Sequence, residues 1–281
     1  MIRSSESKFN NCLYIISSPI GNLKDITYRA LDVIKEIDYL FCEDTRVTSK
    51  LLSAYGINRE LDSYHDHSTI QKENYIISLL EKGYNVGLIS DAGTPIISDP
   101  GFELVKKAKE LGYKVSPVVG ASASVAAITM SGLSVKPYLF YGFLNHKSSS
   151  KIKELEALKD YEFTIVFYES PLRIKDTLES MYKVFGDRKA VLLREITKLY
   201  EESIELNLSE WNDLPDDLKG EMVVVVSGKS SENNNQELDL VEEMDNLLKM
   251  GYSLKESSKI LSNKLNKKSS DIYNAYLRSK K

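Results

Sequence analysis

The feature that most constrains this chain is a regular alternation, from residue 12 to residue 131, of short apolar runs with amphipathic stretches. Apolar runs occupy 12–16, 39–42, 86–89 and 114–118, with a shorter one at 61–64. Between them, helical spacing predicts helices over 27–37, 47–55, 69–82 and 102–111, and another ending near Ser131. In 27–37 the inner side carries Ala30, Leu31, Val33, Ile34 and Ile37. Strands that alternate with helices build a mostly parallel sheet covered on both faces. The carboxyl ends of such strands share one edge, and open α/β sheets bind ligands there. Four of those ends, at Ser17, Glu43, Ser90 and Val119, open into polar or glycine-bearing turns. These turns are expected to converge on one pocket.

The turn after 86–89 is the most distinctive. Ser90-Asp91-Ala92-Gly93-Thr94-Pro95-Ile96-Ile97-Ser98-Asp99-Pro100-Gly101 holds two glycines, two prolines and two aspartates before a helical pattern starts at Phe102. Proline stiffens such a segment, and glycine lets backbone approach a ligand. Ordinary strand-to-helix turns need only a few residues, so the extra length points to binding.

Residues 132–137 read as a link to a second α/β unit. Its strands are expected at 138–143, 163–168, 190–194, 200–208 and 221–226, with helices at 148–159, 171–185 and 209–214. The β-branched run 223–226 is expected to be buried on both faces. A polar stretch, 227–236, precedes three short helices, the second with the capping-box pair Ser253 and Glu256. The expected organisation is a loose extension at 1–11, an α/β domain at 12–131, a second, mixed α/β domain at 138–228 and a helical appendage at 237–281.

Charge separates the appendage from the rest. The whole chain of 281 residues carries a formal net charge of −4. That balance argues against coating nucleic acid with the entire surface but leaves room for a basic patch. Residues 246–281 hold nine Lys or Arg against Glu256 and Asp271, a local +7. Lys255, Lys259, Lys267, Lys268 and Arg278 are its candidate nucleic-acid contacts, and a solvated lysine-rich tail is the competing explanation. Cys12 and Cys42 are too few and too far apart for a zinc site, and read as buried thiols in a reducing compartment. No metal is expected. No apolar run approaches the ~20 residues of a membrane span, so a cytoplasmic protein without membrane contact is expected.

Read in order, Ser18-Pro19-Ile20-Gly21-Asn22-Leu23, Glu43-Asp44-Thr45-Arg46, His65-Asp66-His67, Ser90 to Pro95 with Asp99-Pro100-Gly101, Phe167-Tyr168-Glu169-Ser170, Arg194 to Lys198 and Gly220-Glu221-Met222 form an ordered set. That set, spanning Leu13 to the C-terminus, resembles the ribosomal RNA small subunit methyltransferase I family of the tetrapyrrole methylase superfamily. The resemblance implies a two-domain tetrapyrrole-methylase-like α/β fold with S-adenosylmethionine in the cleft between the domains. It implies 2′-O-methylation of a cytidine ribose in 16S rRNA, in the decoding region of the small ribosomal subunit. It further implies a homodimer and an RNA-contacting helical appendage. The chain departs from the family at Val119-Gly120-Ala121, where Pro-Gly-Pro or Pro-Gly-Ala is usual.

Against that background the glycine-bearing turns are assigned to the cofactor. Pro19 and Gly21 shape one wall; Asp91, Gly93 and Thr94 offer a carboxylate, close backbone and a hydroxyl; Gly120, Ala121 and Ser122 supply a third segment. Asp91 can instead cap a helix, as can Ser122 and Ser124. The reacting hydroxyl must lose a proton, so a base is required. Asp44, His65 and Glu169 are the candidates, in that order. Arg46 either pairs with Asp44 or holds a phosphate, and Lys198 either holds the acceptor nucleotide or joins an interdomain salt bridge. His65 and His67 lack an evident third partner for a metal.

Overall fold

The computed structural model describes residues 10–65, 70–230, 240–265 and 268–279. Two compact units divide the chain, Met1–Lys229 and Ser230–Lys281. Residues 1–9 of the extension expected at 1–11, and residues His67 and Lys267, lie outside the described residues.

The first sheet contains β1 (Cys12–Ile16), β2 (Tyr39–Cys42), β3 (Asp62–Ser63), β4 (Val86–Ile89) and β5 (Lys114–Val118). They lie in the order β3-β2-β4-β1-β5, and every pairing is parallel. Helices α1 (Tyr28–Glu36), α2 (Thr45–Ala54), α3 (Ile70–Glu81) and α4 (Phe102–Glu110) cover it. Side chains alternate along β1. Cys12, Tyr14 and Ile16 pack with Ala30, Ile34 and Leu52 of α1 and α2, whereas Leu13 and Ile15 pack with Ile76, Leu80 and Leu104 of α3 and α4. Both faces being buried explains why the strands are apolar without interruption. Thr27 caps α1 by accepting from the Ala30 N–H at 3.1 Å. Ile16 is in register with Ile89 and Val118, and Cys42 with Ile89, so the turns that follow leave one edge at one level.

After β5, helix α5 (Ala123–Met130) crosses to the second sheet, formed by β6 (Tyr138–Phe143), β7 (Thr164–Glu169), β8 (Lys189–Arg194), β9 (Glu202–Asn207) and β10 (Met222–Val226). The order is β6-β7-β10-β8-β9; only β6 and β7 are parallel, and the other pairs are antiparallel. Helices α6 (Ser148–Leu158) and α7 (Ile174–Phe185) fill one face with Leu155, Leu178 and Met181 against Phe167, Leu192 and Val224. The other face belongs to α5: Ala127 and Ile128 are buried on Val166, Val191, Leu193, Val223 and Val225. Val223–Val226 are all buried, as their β-branched sequence predicts. The stretch 209–214, expected as a helix, is a 3-10 turn over Leu208–Asp213, and α7 starts at Ile174 rather than 171.

The second unit contains α8 (Leu240–Lys249), α9 (Leu254–Leu265) and α10 (Ser269–Ser279). Met244, Leu261, Ile272 and Tyr276 form its core. The capping box at α9 is present: Glu256 N–H donates to Ser253 Oγ, and Ser253 N–H donates to the Glu256 carboxylate at 2.9 Å.

Because Ile128 is buried and Val125 on the same helix is exposed, the two positions separate packing from helix propensity. Ile128→Ala is expected to cost about 2–5 kcal/mol. Val125→Ala should stay within about 0.5 kcal/mol. Urea unfolding of the two variants checks the contrast.

Candidate active site

Three turns at the carboxyl edge of the parallel sheet are knotted together. After β1, the Ser18 N–H donates to the Gly93 carbonyl at 2.8 Å, and the Gly93 N–H returns a bond to the Ser18 carbonyl at 3.2 Å. Ser18 Oγ donates to the Ser90 carbonyl at 2.9 Å. Thr94 Oγ1 lies 3.0 Å from Ser17 Oγ and donates to the Ala121 carbonyl at 3.2 Å. The turns after β1, β4 and β5 therefore share partners, whereas the fourth expected turn, at Glu43 after β2, is tied to Asp91 but does not line the cavity they face. Two glycines permit it. Gly93 has φ +83°, and a Cβ on Gly120 would sit 2.7 Å from the Ser17 Cβ. Without the family's proline, Val119 is 72% exposed, and its carbonyl accepts from Thr27 Oγ1 at 3.4 Å.

These turns face a cavity of about 340 Å³ whose opposite wall comes from the second sheet. Gly93, Thr94, Ser98, Asp99 and Ser122 line the first side. Phe143, Tyr168, Glu169, Ile196, Gly220 and Met222 line the second. All of the latter lie at or just beyond one edge of that sheet, where β6, β7 and β8 end and β10 begins. The volume falls at the low end for a cleft that holds one small ligand. Hydroxyl and backbone groups on one wall, and a mixture of apolar and polar groups on the other, suit a nucleoside with a polar tail. Ser122 occupies the cap position of α5 without a side-chain capping bond; its Oγ lies 3.2 Å from Ser124 Oγ. The Ser124 N–H donates instead to Tyr168 Oη at 3.1 Å, so the second sheet caps α5. Burial raises the Tyr168 phenol pKa, with the Asp99 carboxylate adding to the rise.

Several residues singled out from the sequence are engaged within the protein. Asp44 caps α2 by accepting from the Arg46 N–H at 2.8 Å, and the Arg46 guanidinium grips its carboxylate with Nη2 at 2.6 Å from Oδ2. The Arg46 hydrogen bond, with backbone donors, lowers the Asp44 pKa to about 2. A carboxylate so weakly basic, outside the cavity lining, is a helix cap rather than a free proton acceptor. Of the two alternatives for Arg46, the ion pair is the one present. His65 is exposed just beyond the edge strand β3 and does not line the cavity. Asp91 Oδ1 accepts from the Asp44 N–H at 3.1 Å, tying the β4 turn to the β2 turn. Desolvation raises the Asp91 pKa, so its charge is held there at a cost.

Glu169 does line the cavity, but its carboxylate is saturated. Oε1 accepts from the Ser170 N–H at 2.7 Å and from Arg173 Nε at 2.8 Å; Oε2 accepts from Thr177 Oγ1 at 2.6 Å. Lys198 bridges Glu195 at 2.9 Å and Glu221 at 3.0 Å. Its stem covers Gly21, where a Cβ would lie 2.5 Å from Lys198 Cγ. Gly21 thus lies against the second α/β half, and Lys198 is held by two carboxylates of its own half, so the expected interdomain salt bridge is not the one present. Sequence reasoning did not single out Phe143, Ile196 or Asp99. The glycine in Tyr141-Gly142-Phe143, inside a strand, was the available signal for Phe143.

Removing the Asp91 acceptor strands the Asp44 N–H. Asp91→Ala is expected to cost about 1–3 kcal/mol, whereas Asp91→Asn, which keeps an acceptor oxygen, should unfold near the wild-type urea midpoint.

Comparison with known proteins converges on the same reading of the fold. Residues 12–212 match the model of the Tetrapyrrole (Corrin/Porphyrin) Methylases. A protein of Bacillus subtilis (strain 168) named ribosomal RNA small subunit methyltransferase I is 42% identical over 273 residues, covering 94% of this chain and 93% of that protein. The Haemophilus influenzae protein of the same name is 45% identical over 231 residues, covering 80% of this chain and 82% of its own. Among solved structures, a cobalt precorrin-4 methyltransferase superposes with a TM-score of 0.58 at 15% identity over 77% of this chain and 95% of its own. Uroporphyrin-III-C-methyltransferase from Thermus thermophilus gives 0.56 at 18% identity over 78% of this chain and 94% of its own. These last two speak to the fold alone. The chain belongs to the tetrapyrrole methylase family and, within it, to the ribosomal RNA small subunit methyltransferase I group, whose methyl donor is S-adenosylmethionine.

Proposed function

We propose that the protein transfers a methyl group to the ribose 2′-oxygen of a cytidine in 16S rRNA, in the decoding region of the small ribosomal subunit, and that it acts as a cytoplasmic homodimer. The observation that carries this reading is the knot of Ser18, Gly93, Thr94 and Ala121 facing a one-ligand cavity, in a chain whose relatives share its length and bear that rRNA name. Among the described residues no helix is long and apolar enough to cross a membrane.

When bound, S-adenosylmethionine supplies a methyl group on a positively charged sulfur, activated by that charge. The backbone at Gly93 and the Thr94 and Ser122 hydroxyls would hold it, with Gly120 and Ala121 shaping the turn behind them and Ile196 and Met222 as the apolar wall. The protein's own task is alignment, a proximity effect that can be worth several kcal/mol, together with acceptance of the 2′-hydroxyl proton. We assign the proton to Asp99, which lines the cavity near Tyr168. It sits in a segment where Ile96 and Ser98 adopt left-handed φ of 78° and 70°. A β-branched residue in that region is strained, a cost that often marks a working loop. The Asp99 carboxylate would accept the hydroxyl proton released by the acceptor ribose.

Lys255, Lys259, Lys268 and Arg278 are exposed on the second unit. They fit a phosphate-contacting surface, and positive charge there would make binding salt-dependent.

Labelled S-adenosylmethionine offered with assembled 30S subunits, naked 16S rRNA and a uroporphyrinogen-type macrocycle tests the reading. Label is expected on the 2′-oxygen of one 16S cytidine; label on the macrocycle alone would overturn it. Asp99→Asn should lower kcat by roughly 10²-fold or more with donor affinity kept. Replacing Lys255, Lys259 and Arg278 by Glu should weaken RNA binding and flatten its salt dependence, leaving donor binding intact, as filter binding and calorimetry would show.

A further inference from the structure

We propose that Phe143 is the platform on which the acceptor nucleobase stacks, a role that rests on the rRNA-methylating reading above. The argument begins with a defect in β6. Leu139 and Phe140 pair with Ile165 and Val166, but the next pairs are Gly142 with Phe167 and Phe143 with Tyr168. Tyr141 is the extra residue of a β-bulge, and Gly142 adopts φ +87° beside it. In a regular strand, residues three apart face opposite sides of the sheet. The inserted residue brings Phe140 and Phe143 to the same side. Both rings meet Tyr168 edge-on, with centroids at 4.9 Å and 5.5 Å and interplanar angles of 63° and 65°.

The two phenylalanines then diverge in burial. Phe140 packs into the cluster beneath α5, whereas Phe143 lines the cavity and remains 53% exposed. A bulge that turns a large aromatic ring out of the core and onto a cavity rim creates an apolar surface that, among the described residues, is covered only in part. The first-domain loop braces this spot. Ser98 Oγ would lie 3.2 Å from a Cβ on Gly142, so glycine serves both the φ and the close approach.

Position separates Phe143 from the donor's end of the cavity. β6 is the edge strand of its sheet, while Gly220, Met222 and Ile196 adjoin the central strands β10 and β8. The cavity has room on the order of one small ligand, so an acceptor nucleotide enters at the rim. Proteins that recognise a specific RNA nucleotide mostly take it from a single-stranded loop, bulge or end, where the unstacked base is splayed out and stacks on an aromatic side chain. Phe143 supplies that ring beside Asp99, the carboxylate assigned to the ribose proton.

The test compares full-length wild type with Phe143→Ala, Phe143→Leu and Phe143→Trp, reading kcat/KM on 30S subunits and donor affinity by calorimetry. Phe143→Ala is expected to lose about tenfold in kcat/KM, Phe143→Leu to fall with it, and Phe143→Trp to keep most of the activity. Donor affinity, which also reports that each variant is folded, is expected to stay at the wild-type value. A parallel loss of donor affinity would make Phe143 part of the donor's wall and overturn the proposal. Wild-type activity in Phe143→Leu would reduce it to apolar packing, with the same result. An active wild type with an equally active Phe143→Ala sinks this inference alone. A wild type that binds donor and never methylates RNA removes the functional reading and the inference together.

Discussion

The reciprocal backbone pair between Ser18 and Gly93 is the contact on which the site depends. It joins turns from β1 and β4, which are neighbours in the sheet but 75 positions apart in the chain. Each turn alone would leave polar backbone facing a cavity, and unpaired buried backbone is costly. Joined, they satisfy one another. Ser18 Oγ on the Ser90 carbonyl and Thr94 Oγ1 on the Ala121 carbonyl extend the arrangement across three strands. Gly93, Thr94 and Ser122 are left lining the cavity, in a geometry that the turns set among themselves.

This arrangement explains which parts of the molecule were legible from residues alone. The parallel sheet was, because strands buried on both faces leave long apolar runs and the helices between them leave periodic ones. β1, β2, β4, β5 and β6 have the boundaries that their sequences suggest. Convergence of the turns was legible too, since parallel strands put like ends at one edge. Chemical roles were not. Asp44 stands at a strand end facing the right edge, yet its neighbour two residues on is an arginine that claims it. Glu169 faces the cavity, yet Arg173 and Thr177, one helical turn and two turns further on, consume its oxygens. Sequence adjacency does not reveal whether a carboxylate is free or saturated; local hydrogen bonding decides it.

The second sheet illustrates the same limit from the other side. Its strands were visible, but the single extra residue at Tyr141 reverses which face the end of β6 presents. A strand with period two carries no warning of such a shift except the glycine at its site. The ion-pair cluster of Glu195, Lys198 and Glu221 is comparable. Written out, it looks like a charged surface; folded, it is a strut beneath Gly21.

Helix α5 follows the last strand of the first sheet and is buried on the second. Its N-terminus is held by Tyr168 of that second sheet, while the turn leading into it is held by Thr94 of the first. A hinge that swung the halves apart would have to strip this helix from its apolar bed and break both holds at once. Helix α5 therefore acts as a shared brace, and the spacing of the cavity's two walls is set by the contacts of one short helix.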